Sequence, residues 1–469
     1  AAGNFGNKAY EAVYNPVAAP AGYTGTAHDF GGGDIFQSVT LAPGTYTIVF
    51  QWDDSIYSLG QLPGAQNDFD IYLTDDLGNK LFGFNRNNKW GDPFEVLPFT
   101  VNGAGHANIM INRTWGTGNV RFKYVVFRGD ITIDEYLSGN ATIVGQANAA
   151  GAMAVGAVLY SNSPRFGVNP PTIASFSSVG GTPVYGVVRE KPDFAAPNGG
   201  NTSVNFGAPD FDSDGLPNFF GTSAAAPHAA AVAALLKEGK QKFFSQTITP
   251  AETRSILRST AKDMSTAGFD YNTGYGLIQA DKALMSFASP TPVITSIDLP
   301  SSLTTVTPGL APMTVSIKGN YLKPTTIVYL RDVALTSSYV SESELSVDIP
   351  AFIGNPSVVA YTPSITPSGE DGGYSDTLYF FSPVKKVVEV KADNKAKKFG
   401  EALPLFTSTV TVDGASLAAS GFSLSDLGLS NIYFNTPANA SSNTGIYAIT
   451  PSSDLLDPSD SVDVALTEQ

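Results

Sequence analysis

Between Gly31 and Arg128 apolar and polar residues alternate in short runs. GTYTIVFQW (Gly44–Trp52), DFDIYLT (Asp68–Thr74), HANIMIN (His106–Asn112) and NVRFKYVVF (Asn119–Phe127) send successive side chains to opposite faces, the period of a half-buried strand. Turn formers such as DDLGN (Asp75–Asn79) separate them. Alternating strands at this spacing predict a β-sandwich. Between 130 and 290 the period changes. Ala149–Ser161 reads as a small-residue helix end feeding a buried strand. Ser223–Lys237 has apolar residues at helical spacing. Thr249–Met264 reads as a second helix, with Thr249 as N-cap, Pro250 at the first helical position and Glu252 completing a capping box. Tyr275–Phe287 reads as a third. Helices of these lengths mixed with strands predict an α/β layer. SPTPV (Ser289–Val293) ends the helical patterns. Short strands return from Ile294 to Ser382, and a third β-rich block runs from Val387 to the end.

Length and charge narrow the class. A chain of 469 residues implies two to four domains. A formal charge of -15 repels nucleic-acid phosphate and anionic lipid. It suits a secreted protein and supplies oxygen ligands for Ca²⁺. With no cysteine, thiol chemistry, disulfides and Cys-based zinc sites are excluded. No apolar run is long enough to span a bilayer. The chain lacks an initiator Met and a signal peptide, and its first residues read as the middle of a domain. A fragment or mature piece is the expectation.

The candidate chemistry centres on NFFGTSAAAPHAAAVAALL (Asn218–Leu236). A serine hydroxyl is a weak nucleophile that needs a base and donors for the oxyanion it creates. At the start of a helix Ser223 would gain from the dipole, and its own N–H could join an oxyanion hole. By residue type alone the simpler reading is an N-cap. GTSAAAPH resembles the serine-nucleophile motif of subtilisin-like serine proteases, written GTS-x-A-x-P-H, with Gly221, Thr222, Ser223, Ala225, Pro227 and His228 falling on it. The resemblance implies that Ser223 is the nucleophile and that His228 is structural. AAGNFG at the N-terminus resembles the family's oxyanion segment, which makes Asn4 the oxyanion donor and puts Ala2 and Gly3 beside substrate. Ala154–Val158, Ile173–Gly180 and Lys191–Gly199 look like the family's core strand and loops, and YGLIQADKAL like its closing helix. The resemblance covers residues 1–19 and about 135–290. It implies a three-layer α/β domain, incomplete here, with several all-β sandwich modules beside it.

The departures from the family pattern shape the rest of the reading. In the family the acid and base precede the asparagine segment, which here begins at residue 1. His28 and His106 do not match the family's His motif, and Asp193 matches an acid in a structural loop. The triad Asp and His are therefore expected outside the chain, which alone would be nearly inactive. Residues 20–134 look like a jelly-roll module spliced into the domain. Its acids Asp53, Asp54, Asp68, Asp70, Asp75 and Asp76 could bind Ca²⁺ or sit in solvated turns. DFDSDG places Asp210, Asp212 and Asp214 where a curling loop could bring them onto one Ca²⁺, although Gly221 at position 12 excludes a complete EF-hand. Residues 293–383 resemble an immunoglobulin-like IPT/TIG module and 384–469 an MBG module. The basic run Lys391, Lys395, Lys397 and Lys398 reads as a contact patch for an acidic partner or as a solvated strand edge. The expectation is a secreted or cell-surface bacterial serine endopeptidase acting on proteins or peptides. It would need no cofactor for its chemistry, with calcium in a structural role. The rival is a non-catalytic adhesion or glycan-binding protein on a protease-like scaffold.

Overall fold

The computed structural model describes residues 1–469 except 185, 206, 208, 301–308, 310, 382–385, 425, 426, 428, 456–461, 468 and 469. The chain divides into one compact unit of residues 1–290 with 363–372, and another of 291–362 with 373–469.

The first unit opens with a β-sandwich. Its strands are β1 (Ala9–Val13), β2 (Pro16–Ala18), β3 (Thr26–His28), β4 (Gln37–Leu41), β5 (Gly44–Trp52), β6 (Asp68–Thr74), β7 (Lys80–Phe84), β8 (Phe94–Val101), β9 (Gly105–Trp115), β10 (Arg121–Arg128) and β11 (Ile131–Ile133). One sheet runs β1-β10-β5-β8. The other runs β11-β4-β9-β3-β2, with β6 pairing β9 and β7 pairing β6. Alternation explains the core. Tyr46, Ile48, Phe50 and Trp52 of β5 meet Phe69, Ile71 and Leu73 of β6, and all are buried. Each such side chain stabilises the fold by roughly 1.5–3 kcal/mol. Residues 9–18, expected to belong with the α/β segment 1–19, instead begin the sandwich. The reason is long-range pairing: Ala9–Val13 lies antiparallel to Arg121–Val125.

The α/β part of this unit is built on β12 (Val155–Leu159). The hairpin β13 (Pro183–Val184) and β14 (Val187–Val188) follows, then β15 (Phe194–Asn198), which pairs β12 in parallel. A second short hairpin, β16 (Gly200–Asn201) and β17 (Asn218–Phe219), leads into helix α1 (Thr222–Phe244), followed by α2 (Pro250–Ser259) and α3 (Ala280–Met285). Val155, Ala157, Phe194 and Ala196 pack on Ala225 and Ala229 of α1, and on Leu257 and Ala283 of α2 and α3. The opposite face, Val158 and Ala195, is covered by Ile173, Met264 and Leu277, none of them in a helix. The Thr249–Glu252 capping box forms as the sequence predicts. The third helix starts at Ala280 and not at Tyr275, because Leu277 pairs with Ala195 and with Lys262. The stretch before β12 likewise forms turns and a 3-10 segment at Gly145–Asn148, not a helix end.

The second unit has two cores. Ile294, Val315, Ile317, Val328, Leu345 and Val358 form one between two antiparallel sheets. Val388, Val390, Val410, Val412, Leu427 and Leu429 form the other. Residues 363–372 separate from the β module around them and join the first unit, where Asp371 accepts from the Ser289 N–H at 2.7 Å. Lys391 lies on a strand paired on both sides, with Thr409 and with Thr467, so it is not on a sheet edge. Among the described residues no helix is long and apolar enough to cross a membrane.

His28 shows how tightly the first core is specified. It is 2% exposed among Tyr10, Tyr14, Phe30 and Phe122. Nδ1 accepts from the Asn15 N–H at 3.1 Å, so the ring proton sits on Nε2 and is shared with Tyr10 Oη at 3.1 Å. A second proton would put two donors face to face. Burial lowers His28 from 6.5 to about 4, against a smaller raising effect of Asp29. The unfolded chain therefore takes up this proton first as pH falls. Stability contributed by neutral His28 is complete above pH 6.5 and is lost progressively down to pH 4. The loss amounts to roughly 3 kcal/mol. Denaturant titrations at pH 7 and pH 4 should show a smaller pH effect in His28→Gln than in the wild type. An equal effect in both would contradict this assignment.

Candidate active site around Ser223

Gly221 caps α1 with φ 116°, a conformation that favours glycine. The helix then begins at Thr222, and Ser223 is its second residue. Thr222, Ala224 and Ala225 are buried while Ser223 is exposed. The Ala224 and Ala225 N–H groups donate to the Gly221 carbonyl at 3.0 and 3.2 Å. Among the described residues nothing hydrogen-bonds the Ser223 N–H or Oγ. An exposed hydroxyl thus sits at the positive end of a 23-residue helix.

The N-terminal segment is fastened beside it. The Ala2 N–H donates to Val155 O at 2.9 Å, the Ser178 N–H to Gly3 O at 2.9 Å and the Gly6 N–H to Phe176 O at 3.0 Å. The Thr222 N–H and Oγ1 both donate to Asn4 Oδ1 at 2.9 Å. Thr222 Oγ1 in turn accepts from the Gly3 N–H at 3.1 Å. With Oδ1 held by two donors, the amide orientation is fixed and Nδ2 keeps both protons available. Nδ2 has no partner among the described residues. A methyl group placed on Gly221 would lie 3.0 Å from Asn4 Nδ2 and 3.7 Å from Ser223 N. Two free donors therefore border one small space next to the serine. Thr222, quoted in the sequence only as part of a motif, proves to be the residue that orients the asparagine.

Ser223, Thr222, Asn4, Ala2 and Gly3 line one cleft of about 900 Å³, with Lys123 of β10 on another wall. The N–H groups of Ala2 and Gly3 are already spent inside the protein, so contacts to a ligand there would use other groups.

The other candidates lie elsewhere. His28 is enclosed in the sandwich core. His106 pairs with Asp76 at 3.3 Å. His228 is exposed on α1 and shares Nδ1 with the Ala224 carbonyl at 2.9 Å. Asp193 is fully buried and is the hub of an ion cluster. Lys191 Nζ lies 2.7 Å from it, Arg258 Nη2 at 2.7 Å and Arg254 Nε at 3.2 Å, the last without hydrogen-bond alignment. It also accepts the Ala154 N–H at 2.8 Å and so ties β12 to α2. Asp210, Asp212 and Asp214 each bring an oxygen within 4.8 Å of the others, all exposed. Asp210 accepts from the N–H groups of Asp214 and Gly215, Asp212 from Tyr160 Oη at 2.7 Å, and Asp214 from Asn201 Nδ2. An all-oxygen set fits a hard cation such as Ca²⁺ and supplies three of the six to eight ligands it takes. Of the sandwich acids the sequence left open, Asp75 caps its own turn and Asp54 binds the Asn67 and Gln66 N–H groups. Asp68 and Asp70 are buried.

The fold and this arrangement define an α/β domain that presents a helix-borne serine beside a free amide. Residues 87–276 match the subtilase family, and residues 388–455 match the MBG domain of YGX type. The subtilase match includes Asp193 and Ser223 and does not reach Asn4. The chain is 28% identical over 247 residues to fervidolysin of Fervidobacterium pennivorans, covering 48% of this chain and 32% of that protein. It therefore spans about a third of the length of that relative. Among solved structures it is similar to the CspB protease of Clostridium perfringens, with 15% identity over 60% of this chain and 57% of that one and a TM-score of 0.38. The fervidolysin structure matches with 23% identity over 49% of this chain and 32% of that one, TM-score 0.21.

Removing one partner of a buried ion cluster leaves the others uncompensated. Asp193→Ala should cost about 3–5 kcal/mol in chemical denaturation. A loss below about 1 kcal/mol would show that the three cations need no counter-charge.

Proposed function

We propose that this chain is the nucleophile-bearing part of a secreted or cell-surface bacterial serine endopeptidase. Ser223 Oγ attacks the scissile carbonyl of a protein or peptide. Asn4 Nδ2 and the Ser223 N–H receive the developing oxyanion. The observation that carries this reading is the Thr222 clamp on Asn4 Oδ1, which leaves the amide protons free beside Ser223. The base and acid come from outside these 469 residues, because the side chains of His28 and His228 are engaged locally and His106 faces Asp76. We place the protease segments at the N-terminus and at about 135–290, with the sandwich between them. The IPT/TIG-like and MBG-like modules serve as spacers or as arms for cell-surface or glycan contacts. The Asp210–Asp214 loop takes a structural Ca²⁺ and stiffens the approach to Ser223.

The lack of an available histidine also favours a second reading, a non-catalytic binding protein on the same scaffold. Kinetics separate the two. Joined to an upstream segment with the Asp and His motifs, the chain should cleave peptides, and Ser223→Ala should abolish turnover. Asn4→Ala should lower kcat about 10²–10³-fold with little change in stability. Peptidase activity of the isolated chain that survives Ser223→Ala would sink the mechanism. Inactivity of the joined protein would favour the binding reading. For the acidic loop, Ca²⁺ should slow proteolytic nicking between β16 and β17 in the wild type and leave Asp212→Asn unprotected. Equal protection of both would remove calcium from this loop.

A further inference from the structure

The sandwich sheet β1-β10-β5-β8 has one face in the core and one outside it. Phe122, Tyr124 and Val126 of β10 and Ile48, Phe50 and Trp52 of β5 point into the core. Alternation sends Lys123, Val125 and Phe127, and Val49 and Gln51 beside them, to the outer face. Those five residues line the cleft that also holds Asn4 and Ser223. The inserted module therefore builds one wall of the site.

Arg128 joins this wall through a β-bulge. β10 pairs β5 in regular register up to Val126, opposite Ile48. An unbroken ladder would next set Arg128 opposite Tyr46, a core residue. The register instead shifts after Val126, and Arg128 lies opposite Thr47. That one-residue shift moves it from the core phase to the cleft phase. Gly129 follows with φ 112°, so close to Tyr46 that a Cβ would lie 2.1 Å from the ring. Only glycine closes the bulge there. On both sides of Arg128 the strand is tied to the segment that carries Asn4. The Phe127 ring packs on Phe5 at 4.9 Å, and the Gly129 carbonyl accepts from Lys8 Nζ at 2.9 Å. Phe5 directly follows Asn4, and its N–H donates to Ser178 Oγ at 3.0 Å. The Arg128 backbone thus keeps a fixed place relative to Asn4.

The charge of the cleft is opposite to that of the chain. The sequence holds 42 acidic against 27 basic residues. Yet Lys8, Lys123 and Arg128 line the cleft, and no aspartate or glutamate is among its described lining residues. Two of the three cations are engaged. Lys123 Nζ lies 3.0 Å from Glu11 Oε2 and donates to Thr182 Oγ1 at 3.2 Å. Lys8 Nζ holds the Gly129 carbonyl, with Asp130 at 4.0 Å. Among the described residues nothing pairs with the Arg128 guanidinium, and the residue is exposed. A guanidinium presents a planar fork of donors that matches a carboxylate two bonds at a time. Val49, Val125 and Phe127 on the same wall are apolar, and a charge pair gains strength where water is kept from one side.

We propose that Arg128 is a specificity residue of this cleft and receives the glutamate or aspartate side chain of a bound peptide. Cleavage of that peptide rests on the endopeptidase reading above, whereas its capture needs no triad. The sandwich then selects the substrate that the α/β part cuts.

The test uses short neutral peptides that carry a single glutamate at successive positions, each paired with its glutamine analogue. Binding is measured by calorimetry on the protein extended by its upstream coding sequence and carrying Ser223→Ala. Cleavage is measured on the same protein with Ser223 intact. At one or two positions the glutamate peptide should bind about fivefold tighter at low salt, and the advantage should shrink as salt rises. Arg128→Gln should bind the glutamate peptide no better than its glutamine analogue. Arg128→Glu should turn the preference toward lysine at the same position, which loss of a merely structural arginine would not do. In cleavage the preference should appear as a lower KM for the glutamate peptide, lost in Arg128→Gln. Equal binding of every pair, or a glutamate preference that Arg128→Gln retains, would overturn the assignment. A preference that depends on Arg128 in a protein that cleaves none of the peptides supports the acidic subsite and overturns the endopeptidase reading instead.

Discussion

The contact between Thr222 and Asn4 joins residues 218 positions apart in the chain. Everything near Ser223 depends on it. Gly221 gives the backbone the turn it needs, Thr222 supplies both donors, and Asn4 is left with its amide protons exposed to the space beside the serine. Closing so long a loop is entropically costly unless the intervening chain folds first. The sandwich does this. It pairs β1 with β10, and the Val126 N–H donates to Lys8 O at 2.8 Å, so the chain leaves and re-enters the α/β region from one corner. A module that could pass for an appendage is therefore what brings Asn4 and Ser223 together.

The same unit concentrates charge in two places with different solutions. Asp193 is surrounded by three cations and a backbone donor, so its burial is compensated within the protein. The cluster of Glu95, Asp70 and Asp68 has acids without equivalent cations. A protein interior tolerates the first arrangement. The second leaves Glu95 Oε2 without a partner, and burial first, then the charge of Asp70, pushes the Glu95 carboxyl up to about 8.

Local patterns were legible and long-range pairings were not. β5 and β6 follow the alternation residue for residue, because their inner faces are aromatic and aliphatic and nothing competes. The capping box of α2 is a four-residue affair and reads directly. Residues 9–18 were misassigned because only pairing makes them strands, 9–13 with β10 and 16–18 with β3. Residues 275–279 were read as helix, although Leu277 is drawn into bridges with Ala195 and Lys262. Ser223 and Asn4 were singled out through a family motif and not through spacing, and no local pattern could have shown Thr222 holding the amide. Glu95 did carry a signal. In FEVLPFTV it falls in phase with Leu97 and Phe99, a charged residue at an apolar position.

The central claim is that Ser223 is a nucleophile set beside the Asn4 amide. It is tested most directly by treating the protein, extended by its upstream coding sequence, with a serine-directed fluorophosphonate and mapping the adduct by mass spectrometry. The account predicts a single adduct on the peptide holding Ser223, formed much more slowly in Asn4→Ala and absent after denaturation. An unlabelled Ser223 in a protein that still cleaves peptides, or labelling that Asn4→Ala leaves unchanged, would contradict it.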